Sequence, residues 1–218
     1  MKKIFKITIA LSVLIISITS ISCASKKLPA PKERSDTFIA NVNPFEIGTF
    51  HVYAGSSNIG KLKISDIYLT FDPRTNCVMA TGRIGVNAVR LGFSYEERKS
   101  LLAAKETYCA AVEALAIPKA KPTKKNAYST GSVSIEWGAL GLAHYVMTSY
   151  ITNAEYLEEN KPYFRILLTQ SEDERTQVYS PKIFIYISPS QWDKIVEACN
   201  QEKLVAMTDE ILAEAEAF

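Results

Sequence analysis

The sequence predicts an α+β protein, mostly antiparallel sheet carrying two main helices, on three observations. From Thr37 onward, apolar residues recur at every second position over most of the chain, the period of strands with one buried face. Two segments switch to helical period, and each opens on a serine with a polar partner three residues on: Ser94 with Glu97, and Ser188 with Gln191. Both follow a strand-like segment directly, and clusters of Gly, Pro, Asn and Asp punctuate the rest.

Taken in order, strands are expected over 38–43, 47–54, 61–71, 76–84, 88–93, 131–137, 142–152, 163–170 and 177–187. Val133, Ile135 and Trp137 alternate with Ser132, Ser134 and Glu136. In 61–71, Leu62 and Ile64 stand in one phase while Ile67, Leu69 and Phe71 stand in the other, which predicts a bulge near Ser65-Asp66. The first helix is expected from Ser94 to before Pro118, with Leu101, Ala104, Tyr108, Val112 and Leu115 as its apolar stripe. The second starts at Ser188, has Pro189 at its first helical position, and buries Trp192, Ile195, Val196 and Cys199. A third helical segment is expected from Thr208, with Asp209, Glu210 and Glu214 on its solvated face.

An offset of about 94 residues lays Phe93-Ser94 on Ile187-Ser188. This raises a duplication of two strand-rich units, each ending in a helix, with halves 37–118 and 130–218. The basic stretch Lys119 to Ser129 lies where a connector would be.

Before this body stands a different kind of sequence. Lys2, Lys3 and Lys6 lead into an apolar run from Ile7 to about Ile18, then Ser20, Ser22 and Cys23: the layout of an export signal over 1–22. The run is shorter than the ~20 residues a transmembrane helix requires. Ending on its cysteine, the segment resembles the signal of bacterial lipoproteins, although Ser20 stands where that family usually has a large aliphatic residue. The resemblance implies that Cys23 is acylated after cleavage and holds the protein on a membrane. Ser20-Ile21-Ser22 also satisfies the small-x-small rule of ordinary cleavage, which would leave Cys23 unmodified. The polar, proline-containing stretch from Ala24 to Asp36 reads as a flexible tether. The expected organisation is therefore a signal over 1–22, Cys23 with its tether over 23–36, and one globular domain over 37–218.

Charge and composition narrow the function classes. The formal charge of +2 falls to −1 once the three signal lysines are removed, which leaves no nucleic-acid footprint. Apolar content of 47% with 22% charged residues fits a globular body. Apart from Cys23 there are three cysteines, Cys77, Cys109 and Cys199, so at most one disulfide can form, and free thiols are expected.

No motif resolves into chemistry. Gly55 to Leu62 nearly spells a phosphate-binding loop, but Leu62 replaces the hydroxyl residue and an alternating strand pattern follows where a helix should start, so no nucleotide is expected. The two histidines, His51 and His144, lie in strand segments outside any metal-ligand spacing. The local signatures of serine nucleophiles are missing, and the acidic pairs Glu96-Glu97 and Glu158-Glu159 read as solvated. Seven tyrosines on strand segments serve either packing or a recognition surface.

The sequence thus predicts no catalytic, cofactor or metal residues, and a single modification site, Cys23. The expected function is that of an envelope protein facing the periplasm or cell surface, working as a non-enzymatic binding or structural module. Its partners would be the membrane and either an envelope protein or a small ligand. The alternatives are an envelope hydrolase acting on peptidoglycan, glycan or peptide, and a small-ligand carrier.

Overall fold

Strands with one buried face leave two unpaired edges unless the sheet closes on itself, and here it closes. The computed structural model describes residues 36–57, 61–118, 123–139, 142–158 and 161–217. The strands are β1 (Phe45–Ser56), β2 (Lys63–Asp72), β3 (Cys77–Ile84), β4 (Asn87–Phe93), β5 (Ser129–Gly138), β6 (His144–Glu158), β7 (Lys161–Leu168), the two-residue β8 (Glu172–Asp173) and β9 (Val178–Tyr179), and β10 (Ile183–Ile187). All but β8 and β9 form one barrel in which chain neighbours pair antiparallel, and β10 returns to β1 through Tyr53↔Tyr186 and Ser56↔Ile183.

This corrects the expected open α+β sheet. Period-two alternation reports one buried face per strand, which an open sheet and a barrel share, so it is blind to closure. The two strand-rich halves, β1–β4 and β5–β10, do not stand apart but share one barrel. β4 pairs with β5 across the proposed boundary, Leu91 opposite Ile135, and one core holds Val52 and Leu91 together with Val133, Phe164 and Ile183. Most apolar strand residues point inward, whereas His51, Asp66, Arg83, Arg90 and Glu136 stand on the outside. That polarity is the reverse of a membrane-spanning barrel. No helix among the described residues is long and apolar enough to cross a membrane.

Among the described residues there are three α-helices, α1 (Tyr95–Glu113), α2 (Pro189–Ala198) and α3 (Gln201–Glu216), and a single 3-10 turn at Lys124–Asn126. Ser94 and Ser188 cap the first two as expected, each accepting from the amide three residues on. The third begins at Gln201, not Thr208, because Asn200 caps it by accepting from the Lys203 amide; Thr208 is buried in its middle, bonded to the Leu204 carbonyl. α1 packs Leu101, Ala104 and Tyr108 into the barrel core, and Tyr108 donates to the Pro162 carbonyl at 2.9 Å. α2 adds Trp192, stacked on Phe164 with ring centroids 4.9 Å apart.

Three local expectations change. The segment 38–43 is not a barrel strand; it lies against the β2–β3 turn, where the Ile39 amide reaches the Pro73 carbonyl at 2.8 Å. No bulge forms at Ser65-Asp66, since pairing runs unbroken from Gly48↔Leu69 to Ala54↔Lys63; Ile64 simply faces water at 66% exposure, and the bulge lies at Glu46–Gly48. Leu115 falls beyond the end of α1, 88% exposed, with a positive φ of 52°.

Candidate functional site

Between the strands and the helices lies a cavity of about 460 Å³. Eight-stranded barrels are wide enough either to be filled by side chains or to hold one small ligand, and this volume falls within the range of ligand pockets. The space exists because several inward positions on one side carry small residues. Ala80 and Gly82 of β3 stand where larger side chains would meet Ile67 and Leu69 of β2.

The lining divides sharply by element. Every strand residue on it is apolar, from Phe50 and Val52 through Leu91 to Ile185. All of its polar residues come from the first turn of α1 and the α2–α3 junction: Tyr95, Arg98, Lys99, Asn200, Gln201 and Glu202. The site is therefore amphipathic, an oily barrel interior with a polar patch contributed by the helices.

Arg98 is the centre of that patch. It is partly buried, and its guanidinium donates to the carbonyls of Asn76 (2.8 Å) and Phe93 (3.3 Å), to the Asn76 side-chain oxygen (2.9 Å) and to the Gln201 side-chain oxygen (2.6 Å). Phe71 and Tyr95 offer ring faces, with centroids 5.7 and 5.8 Å from the guanidinium carbon. Burial lowers the arginine pKa from its ordinary value. The thiols of Cys77 and Cys199 are pushed up to about 11 by burial, with the Arg98 charge opposing the shift. The cysteines Cys77, Cys109 and Cys199 are all free.

The chain also enters the body at this point. Asn76, itself held at φ 49°, donates its side-chain amide to the Asp36 carbonyl at 2.9 Å. The first described residue is thus one side chain away from Arg98.

No local motif in the sequence singles out Asn76, Arg98 or Gln201. Asn76, Arg98 and Gln201 come from three distant segments, and only the fold joins them. One signal was available: Arg98 precedes Leu101 by three positions and so sits on the apolar stripe of α1, where a charge is out of place.

The residues the sequence did raise lie elsewhere. Cys23, the signal and the tether up to residue 35 are outside the described residues. His51 is on the outer surface, paired at 2.7 Å with Asp66 directly across the ladder. His144 stacks on Trp137 and bonds the Thr176 hydroxyl at 3.0 Å, away from the cavity lining. The segment resembling a phosphate loop joins the antiparallel strands β1 and β2, and its positions 58–60 are outside the described residues. Tyr68, Tyr145 and Tyr179 are exposed, Tyr150 is inside the barrel, and Tyr186 donates to Glu155 at 2.9 Å in an outer cluster with Arg165 and Asn153. Through Asn153, that cluster holds the carbonyls of Thr123 and Asn126, tying the α1–β5 connection to the barrel wall. Among the described residues no group of three or more His, Cys, Asp or Glu side chains could hold a metal ion.

Comparison with known proteins places residues 20–206 under a family described as "Uncharacterised Treponema protein". A protein of Treponema pallidum (strain Nichols), described as "Uncharacterized protein", is 23% identical over 175 residues, covering 80% of this chain. The chain spans 64% of that relative's length. No solved structure matches.

Proposed function

The chain belongs to this uncharacterised Treponema family, and from that premise we propose that it is an exported, lipid-anchored envelope protein whose barrel binds a small apolar ligand. The observation that carries the reading is the cavity of about 460 Å³, walled by apolar strand residues and closed by helices with a polar patch. Its lining holds no histidine and a single carboxylate, Glu202, so a hydrolytic reading draws no support from it.

The anchoring half of the reading rests on Cys23 and the signal before it. Twelve residues lie between Cys23 and Asp36, and the thirteen Cα–Cα steps of a fully extended chain reach about 45 Å. Because Asp36 is bonded to Asn76 beside Arg98, the tether would join the body at the polar end of the cavity.

Native mass spectrometry of the chain purified from its own host tests the ligand. A retained non-covalent mass is expected, and Ala80→Phe, which fills the cavity, should abolish it. A chain that retains nothing and takes up no apolar probe overturns the reading. Anchoring is tested by the intact mass of the mature N-terminus and by detergent-phase partitioning of Cys23→Ser. An unmodified Cys23 would refute acylation.

A further inference from the structure

Arg98 is charged, partly buried and surrounded by neutral oxygens. Two of its acceptors are backbone carbonyls and two are side-chain amide oxygens, and no described carboxylate lies within ion-pair distance of it. Its neighbour Lys99 already has an anion, Glu96 at 3.3 Å, while Glu202 sits exposed on the rim. Taking a cation out of water without an anion is unfavourable, and a protein ordinarily supplies the counter-charge. Among the described residues, the one carboxylate on this cavity's wall, Glu202, makes no ion pair with Arg98.

A further feature favours negative charge at the same point: Gln201 is the first residue of the 16-residue α3, so the positive end of that helix also borders the patch. Elsewhere on the lining, Trp192 has a buried indole N–H with no hydrogen-bond partner among the described residues.

We propose that the cavity takes a single-chain amphiphile with an anionic head, its chain among the β1–β4 and β10 side chains and its head on Arg98 in place of Gln201. This rests on the ligand-binding reading above. Gln201 is the exchangeable partner, since its amide oxygen sits on a side chain with rotatable bonds, whereas the Asn76 and Phe93 carbonyls belong to the backbone. A planar guanidinium matches both carboxylate and phosphate oxygens, so a fatty-acid head and a phosphorylated lipid head share this chemistry.

The test uses the full chain carrying Cys23→Ser, which prevents an attached acyl group from competing for the cavity. Dodecanoate, dodecyl phosphate, dodecanol and dodecyltrimethylammonium are titrated against it by native mass spectrometry. One or both anions are expected to bind about tenfold to a hundredfold more tightly than dodecanol, the worth of one charge-assisted hydrogen-bonded contact. Preference for dodecanoate supports a fatty acid, and preference for dodecyl phosphate a phosphorylated lipid. Gln201→Glu, which gives Arg98 an internal carboxylate, should bring the anion-to-dodecanol ratio toward one; Arg98→Lys, which keeps the charge but loses the fork, should lower it partway. Dodecanol binding as tightly as both anions, or a ratio unmoved by Gln201→Glu, overturns the anionic head while leaving the cavity reading standing. Binding of none of the four overturns both.

Discussion

Asn76 and Arg98, one at the end of the β2–β3 turn and the other in the first turn of α1, are joined twice: the guanidinium donates to the backbone carbonyl of Asn76 at 2.8 Å and to its side-chain oxygen at 2.9 Å. The free amide of the same asparagine holds Asp36. One residue thus couples the entry of the chain, the β2–β3 turn and the polar end of the cavity.

Asn76→Ala should destabilise the protein by about 2–4 kcal/mol. It removes two hydrogen bonds, worth about 1 kcal/mol each and more where the partner is charged, and places a Cβ residue at φ 49° without the local bonding that suits asparagine to that region. Asn76→Gly keeps the backbone freedom and loses only the bonds, so urea denaturation should rank it between wild type and Asn76→Ala. Equal losses in the two variants would show that conformation contributes nothing at this position.

Leu115 offers the opposite case. It is strained at φ 52°, beyond the C-cap Ala114, with its side chain almost wholly in water. Leu115→Gly is therefore expected to stabilise the protein by about 0.5–1 kcal/mol, the preference for glycine just past a helix end outweighing its greater freedom in the unfolded chain. A lowered thermal midpoint would contradict this.

Two glycines in adjacent strands should respond differently to alanine. A Cβ at Gly82 would sit 2.8 Å from the Asp66 carbonyl oxygen and 2.6 Å from Ile67 Cδ1, and the carbonyl cannot move without opening the β2–β3 ladder. At Gly92 the obstacle is the Ser134 hydroxyl, a side-chain atom, with Met79 beyond it. Gly82→Ala should cost about 1–3 kcal/mol with no rescue from trimming a neighbouring side chain. Gly92→Ala should be largely restored by adding Ser134→Ala, as a double-mutant cycle would read out.

The β8–β9 hairpin carries an acid-sensitive anchor. Burial alone would raise the pKa of Asp173, but hydrogen bonds from the Arg175 side chain and amide, the Tyr145 amide and Thr176 hold it down at about 2. Its unfolded value is about 3.9. A depressed carboxylate stabilises the fold above the unfolded pKa and loses that contribution as pH falls through the folded one, here between about pH 4 and pH 2. Thermal midpoints measured across that window should fall less steeply in Asp173→Asn than in the wild type.

Local devices were legible in the sequence, and long-range pairings were not. Ser94 and Ser188 were legible because a cap is a local device: the side chain and the amide it meets lie three residues apart. The inward phase of Val133, Ile135 and Trp137 was legible for the same reason, since alternation needs only the neighbouring residues. Closure depends on Tyr53 finding Tyr186, and the site on Arg98 finding Gln201, and neither pairing leaves a periodic trace. Asn200 stands directly before α3 as its cap, but Ile211 and Leu212 carry the apolar period of its later turns and direct the sequence expectation to Thr208. The spacing of Leu115 suits the buried stripe of a helix that ends before reaching it.

The β1–β10 seam also bears on how the chain is made. A protein synthesised from its N-terminus presents Ser56 long before Ile183, its partner 127 positions later. At roughly 5–20 residues per second, that interval lasts about 6–25 s. Throughout it, one side of β1 carries unsatisfied amides and carbonyls, a row to which another nascent chain could add itself as a strand. The chance of mispairing is therefore concentrated in the time before the last barrel strand arrives, and a chaperone shielding this protein would have its main task at Tyr53 to Ser56.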